Sequence, residues 1–295
     1  LGGMATIIGT PPNVVFIGLL NEFYGSKIPF GKWMIIGVPV TILTLLSTYL
    51  IVTRVLFPNR IKQVEGSEEL ISSKLKELGP IKKEEKMVLT IFGLTSAFWI
   101  FQQPINLFIG RDFLNDTNVA MTGGILMFIV PSQLRDLKFL LDWSDTKKMG
   151  WGILILFGGG LCLADALENV GVIQTVGKWI ASQTSFNAWL IFALILAGVL
   201  LSELMSNVAL VQVFVPVVFG IADNLGVNAI LLALPVTLSA SIGFMFPIAT
   251  PPNAIVFSSG YIRMKDMVRA GLLLDVASIG IIFLASITLV KWLFG

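Results

Sequence analysis

Charged residues drop out of this chain over long stretches, and those stretches define its elements. Runs without Asp, Glu, Lys or Arg cover Trp33–Thr53, Met87–Gly110, Thr117–Leu134, Trp179–Ser202 and Leu204–Ala222, and a run of 39 residues covers Asn224–Ile262. A helix needs roughly 20 apolar residues to cross a bilayer core. The pattern therefore predicts an all-α polytopic membrane protein. Two nearly identical phrases interrupt it: "IGTPPNVVF" at Ile8–Phe16 and "IATPPNAIVF" at Ile248–Phe257.

Lys and Arg give the threading. Eight fall in Arg54–Lys86, four in Gln133–Gly150 and three in Gly260–Ala270, so 15 of the 20 sit in three connectors. Positive charge collects on the cytoplasmic side, which places these connectors there and the C-terminus on the extracytoplasmic side. The segments expected are a broken helix (1–29), a transmembrane helix (30–57), a partly helical cytoplasmic linker (58–86) and two further crossings (87–141). A surface piece and a transmembrane helix (142–186) come next, with Asp165–Asn187 as an outer connector. A re-entrant hairpin (187–226) has its tip at Ser206-Asn207. A second broken helix (227–262) carries TPPN, and a last transmembrane helix (263–295) follows.

The two phrases belong to a longer repeat. With Thr10 set on Thr250, Gly3 matches Gly243, Ile8 matches Ile248 and TPPN matches at all four positions. Past a loop that differs by six residues, Phe30, Trp33 and Gly37 fall opposite Met264, Met267 and Gly271. By the threading the copies run in opposite directions, the arrangement of inverted-repeat transporters with interrupted helices. The first TPPN has only nine residues before it. The repeat thus predicts a hairpin partner upstream of Leu1, with N-terminal sequence absent here.

Proline removes an N–H and stops a helix, and it pushes the preceding residue toward extended geometry. TPPN therefore forces a break. A broken backbone at membrane depth must be buried in protein or line a watery cavity. Its free carbonyls can ligate a cation, and the helix N-terminus that follows favours an anion. Thr and Asn add neutral hydroxyl and amide groups, which lets a carboxylate and a sodium ion share a site without Lys or Arg.

Composition narrows the function. The chain is 55% hydrophobic and 13% charged, against about 25% charged residues in soluble domains. It has no histidine and one cysteine, Cys162, so no internal disulfide can form. No paired acid/base or nucleophile–base set is present, which argues against an enzyme, and nucleic acid is not an expected partner. Gly158–Gly160 lacks the Lys and Ser/Thr of a phosphate loop and reads as a close helix contact. Glu203, three residues before Ser206, reads either as an electrostatic influence on a sodium site or as a residue on the wet face of the hairpin. Asp275 is expected near the cytoplasmic edge of the last helix.

Ser206-Asn207 at the hairpin tip, GTPPN at Gly9–Asn13 and ATPPN at Ala249–Asn253 together resemble the divalent anion:sodium symporter family, the sodium-coupled dicarboxylate and citrate carriers. The resemblance covers nearly the whole chain. It implies an elevator-type homodimer in the plasma or bacterial inner membrane, surrounded by lipid, with scaffold helices in 87–141 and a transport domain holding the hairpins and broken helices. It also implies sodium ligands at Gly9 for one site and at Ser202, Met205, Asn207 and Ala249 for another. Substrate contacts fall on Thr10, Ser206, Asn207, Thr250 and Pro251. Many members read Ser-Asn-Thr at the tip; here Val208 follows Asn207, which leaves dicarboxylate against citrate open. The function implied is sodium-coupled uptake of di- or tricarboxylates. A sodium-independent exchanger of the same fold is the alternative, and an ion channel the remoter one, since a channel needs a continuous pore.

Overall fold

A computed structural model describes residues 1–58, 67–111, 113–133, 138–148 and 152–295. The helices in chain order are α1 (Pro11–Tyr24), α2 (Phe30–Leu50), α3 (Ser67–Leu78), α4 (Lys83–Ile109), α5 (Asp116–Ile129), α6 (Gly152–Asn169), α7 (Val172–Gln183), α8 (Ala188–Ser202), α9 (Asn207–Leu225), α10 (Ile230–Ser239), α11 (Pro251–Ser258) and α12 (Met264–Ala285). Wider helical turns extend α2 through Ile51–Leu56 and α12 through Ser286–Val290, and a short helix, Lys291–Phe294, ends the chain. Among the described residues, four stretches are long and apolar enough to cross a membrane: Phe30–Leu56, Lys83–Ile109, Asn207–Leu225 and Met264–Phe294. Their outer faces carry exposed Ile42, Leu46, Leu89, Phe92, Leu272 and Leu284, side chains that a lipid environment accepts and water does not.

Two compact units make up the chain. The larger comprises Leu1–Ile28, Lys32–Pro58 and Trp151–Gly295. Its centre is α9, which packs against α1, α6, α7, α8 and α10. Phe219 on α9 receives the rings of Phe16, Phe23 and Tyr24 at centroid distances of 6.5, 5.5 and 5.1 Å. Every residue of α10 is buried, as its all-round apolar sequence requires. Glycines set the closest crossings. A Cβ on Gly177 of α7 would stand 2.5 Å from the Gly220 carbonyl oxygen of α9, and a Cβ on Gly198 of α8 would collide with Ser239 of α10.

The smaller unit comprises Pro29–Gly31 and Asn59–Gly150. Here α4 packs on α5. Trp99 Nε1 donates to the Asp116 carbonyl at 3.1 Å, and the Phe30 ring stacks on Trp99 at 5.2 Å. Gly110, at φ 71°, ends α4. Asn106 closes the loop to α5 by donating to the Leu114 carbonyl and accepting from its N–H. Asn115 caps α5 by accepting from Asn118 N at 2.8 Å.

Several expectations change. Asp165–Asn187, expected as an outer connector, is mostly helical. α6 runs on to Asn169, Gly171 turns the chain at φ 80°, and α7 follows. The polar residues of α7 hide an amphipathic helix that buries Ile173 and Gly177 against α9. A Cβ at Gly158 or Gly159 would meet open space among the described residues, so neither is a close contact there, and the surroundings of Gly160 lie outside the described part. The all-helical expectation misses a short antiparallel pair, Pro131–Gln133 with Lys138–Phe139. The surface piece at 142–148 is a tight 3-10 turn, Trp143–Lys148. The linker is helical over α3, whose described side chains are exposed, Lys74 and Glu77 forming an ion pair there; residues 59–66 lie outside the described part.

Candidate functional site

Each TPPN phrase opens a helix after a backbone break. Thr10 and Thr250 are both extended, at φ −150°, ψ 144° and φ −144°, ψ 150°, the geometry that a following proline imposes. The prolines then occupy the first turns of α1 and α11, where a missing N–H costs nothing. Ahead of Thr10 lie two 3-10 turns, Gly2–Ala5 and Ile7–Gly9. Ahead of Thr250, α10 stops at Ser239 and no further helix forms until Pro251.

The asparagine of each phrase holds its break together. Asn13 Nδ2 donates to the carbonyls of Gly3 (3.0 Å) and Thr6 (2.9 Å). Asn253 Nδ2 donates to those of Gly243 (2.8 Å) and Phe246 (3.1 Å). The acceptors correspond under the register that sets Thr10 on Thr250. The expectation that these amides face a ligand is thus corrected: their N–H groups go to the backbone. The matched glycines behave alike too. A Cβ on Gly37 of α2 would stand 2.5 Å from the Met4 carbonyl oxygen, and one on Gly271 of α12 would stand 2.5 Å from Met245 N and Cα. Each break is seated on the glycine of the helix that follows it.

The hairpin is α8, a turn at 203–206 and α9. Asn187 starts α8 by accepting from Leu190 N, and the Ser206 hydroxyl starts α9 by accepting from Ala209 N, both ordinary N-caps. Glu203, only 2% exposed, accepts from Met245 N (2.9 Å) and Phe246 N (3.1 Å). It therefore lies on no wet face; it ties the hairpin turn to the second break. Ser202 does the same from the neighbouring position, donating to the carbonyls of Val199 and Ile242. Asp275 is also 2% exposed, away from the expected edge of its helix. Its carboxyl lies beside the Glu203 carboxyl and the Phe244 amide, its polar neighbours.

The first break, the hairpin tip and the second break meet around a cavity of about 520 Å³. Gly9, Thr10, Ser206, Asn207, Val208, Ala249 and Thr250 border it, and no described charged side chain does. Ser202 and Met205 do not: Ser202 is buried behind Gly243, and Met205 is an exposed residue of the hairpin turn. Pro251 is the first residue of α11, and its side chain lies outside the described part. The amide oxygen of Asn207 is buried without a partner. So is the hydroxyl of Ser241, a cavity residue that the motifs did not single out. A second cavity of about 500 Å³ shares Phe244, Pro252 and Asn253 as a wall, but its lining is apolar apart from Asn253, Tyr261 and Asp266.

Apolar helices, two proline-broken segments and a capped hairpin turn round an uncharged polar cavity define an integral membrane protein. The chain belongs to the sodium:sulfate symporter family: the profile of that family's transmembrane region matches residues 1–295. This bears out the resemblance read from the motifs. The chain is 35% identical over 298 residues to the sodium-dependent dicarboxylate transporter SdcS of Staphylococcus saprophyticus, covering 100% of this chain and 57% of that protein. It is 37% identical over 287 residues to SdcS of Staphylococcus aureus strain NCTC 8325, covering 96% of this chain and 55% of that one. The chain thus spans about half the length of the curated relatives it matches. These relatives are transporters, in keeping with the absence of catalytic machinery expected from the sequence.

Proposed function

We propose that this protein belongs to a secondary transporter that couples uptake of a di- or tricarboxylate to sodium. The observation that carries this reading is the cavity itself. Thr10, Ser206, Asn207 and Thr250 border it with neutral polar residues, and the buried amide oxygen of Asn207 has no partner among the described residues. An oxygen left without a donor suits a hard cation. The names of the relatives, which carry sodium and dicarboxylate together, support the same pairing.

In this reading the hydroxyls of Thr10, Ser206 and Thr250, the Asn207 amide N–H and the backbone at Pro251 hold the carboxylates. The Asn207 amide oxygen and the carbonyls of Gly9 and Ala249 face sodium. Ser202, the last residue of α8, and Met205, in the turn that follows, would contribute through backbone carbonyls, since the last carbonyls of a helix and those of a turn are left without intrahelical partners. The anion brings charge into a site without Lys, Arg or His, and desolvating it against partial charges alone is costly. Sodium supplies the missing counter-charge.

The paired breaks support reading the TPPN segments as an inverted repeat. The full protein is then an elevator-type homodimer in which α12 runs toward the extracytoplasmic side. The test is uptake of labelled succinate and citrate into liposomes holding the full-length protein, with sodium, with potassium or with neither. Uptake only in sodium is expected. Equal counterflow without sodium would replace this reading with the exchanger.

A further inference from the structure

We propose that Ser241 is a further contact for the bound carboxylate, an inference that rests on the carboxylate site proposed above. Ser241 lies two residues past the end of α10, in the second break, and borders the cavity. Its hydroxyl is buried and finds no hydrogen-bond partner. Its backbone is fixed: Ser241 N donates to the Leu238 carbonyl, and the Gly243 carbonyl two residues on is held by Asn253. Buried hydroxyls are nearly always bonded. Here nothing in the described chain satisfies this one, and a turn about its Cα–Cβ bond would offer it to a carboxylate in the adjoining cavity.

The repeat shows that this group is not a general feature of the fold. Under the register that sets Thr10 on Thr250, Ser241 corresponds to Leu1, which borders the same cavity with an alkyl side chain. Each break offers one threonine hydroxyl to the cavity, Thr10 and Thr250, and the second break adds Ser241 where the first has Leu1. A hydroxyl can donate to a carboxylate oxygen, and such charge-assisted bonds are short and strong. One carboxylate is then held by Ser241 with Thr250, and the other is left to Thr10 and the hairpin tip.

The test is equilibrium binding of labelled succinate and citrate to the purified full-length protein. At saturating sodium, Ser241→Ala should weaken binding by about tenfold, while Ser241→Thr, which keeps the hydroxyl, stays within about threefold of the parent. The sodium half-saturation measured at saturating succinate should not move, and thermal unfolding of the ligand-free Ala variant should not fall. Unchanged affinity in Ser241→Ala overturns the assignment. So does a shift confined to the sodium dependence, which would make the hydroxyl a cation ligand. If the parent protein binds neither carboxylate, the carboxylate reading itself has failed, and the parent measurement shows that before any variant is compared.

Discussion

Asn13 and Asn253 make the same pair of hydrogen bonds, each to carbonyls ten and seven residues back in the chain. Neither bond belongs to a helix or a sheet. Together they fix the open backbone ahead of each TPPN helix, so the shape of both cavity walls depends on one amide apiece.

Replacing Asn253 with Ala frees two carbonyls in a part-buried break. Each neutral bond is worth about 1 kcal/mol net, so a loss of roughly 2 kcal/mol is expected, and Asn13→Ala should match it. Thermal unfolding of the full-length protein in detergent reads this out. Unaltered unfolding in both variants would mean that the breaks hold their shape by packing alone.

Gly37→Ala and Gly271→Ala should each destabilise by about 1–3 kcal/mol, because the new methyl meets fixed backbone. Gly158→Ala and Gly159→Ala have open space and lie in a helix interior, where Ala is favoured by roughly 0.5–1 kcal/mol. The four variants form one comparison by unfolding. A loss at Gly158 as large as at Gly271 would contradict the contacts described.

Glu203 and Asp275 should respond unequally. Glu203→Ala strips acceptors from two amides at the second break, at a cost of roughly 1–3 kcal/mol for each group left unpaired. Asp275→Asn keeps the shape while removing one of two buried carboxyls set side by side, so stability should hold or rise. Both can be ranked by unfolding midpoint, and equal losses would argue that the two act as one unit.

On the proposed function, Thr250→Ala should weaken carboxylate binding by the equivalent of about 1.5–3 kcal/mol, the loss of one donor to a charged group. Asn207→Ala should abolish sodium-dependent uptake in a protein that still folds. Normal uptake by the Asn207 variant would remove the hairpin tip from the site.

Sodium and substrate should tighten each other's binding by the same factor, since coupling free energy is reciprocal. Succinate titrations at several sodium concentrations, paired with sodium titrations at several succinate concentrations, give both factors. Succinate affinity independent of sodium would favour the exchanger.

What could be seen from sequence follows how local each cause is. Proline acts on its immediate neighbours, so the breaks at Thr10 and Thr250 were legible, and so was the register that later paired Gly37 with Gly271. The turn between α8 and α9 was legible because Ser206-Asn207 interrupts two apolar arms. Glu203 was not, because its role depends on two amides more than forty residues away. α7 was hidden by polar residues whose spacing matters only beside α9. Ser241, one of three hydroxyl residues in Thr237–Ser241, carried no signal until the fold set it at the cavity.

GTPPN and ATPPN differ at one letter, Gly9 against Ala249, and the packing makes that letter one-way. A methyl on Gly9 would drive into the carbonyl oxygen of Gly3, whereas the methyl that Ala249 already carries sits 3.3 Å from the place a Cβ on Gly243 would take. The halves are therefore not interchangeable parts. Grafting GTPPN into the second position removes one methyl and leaves the break seated. Grafting ATPPN into the first forces the backbone apart at Gly3, so a gene built from two copies of the second half would jam where the natural chain closes.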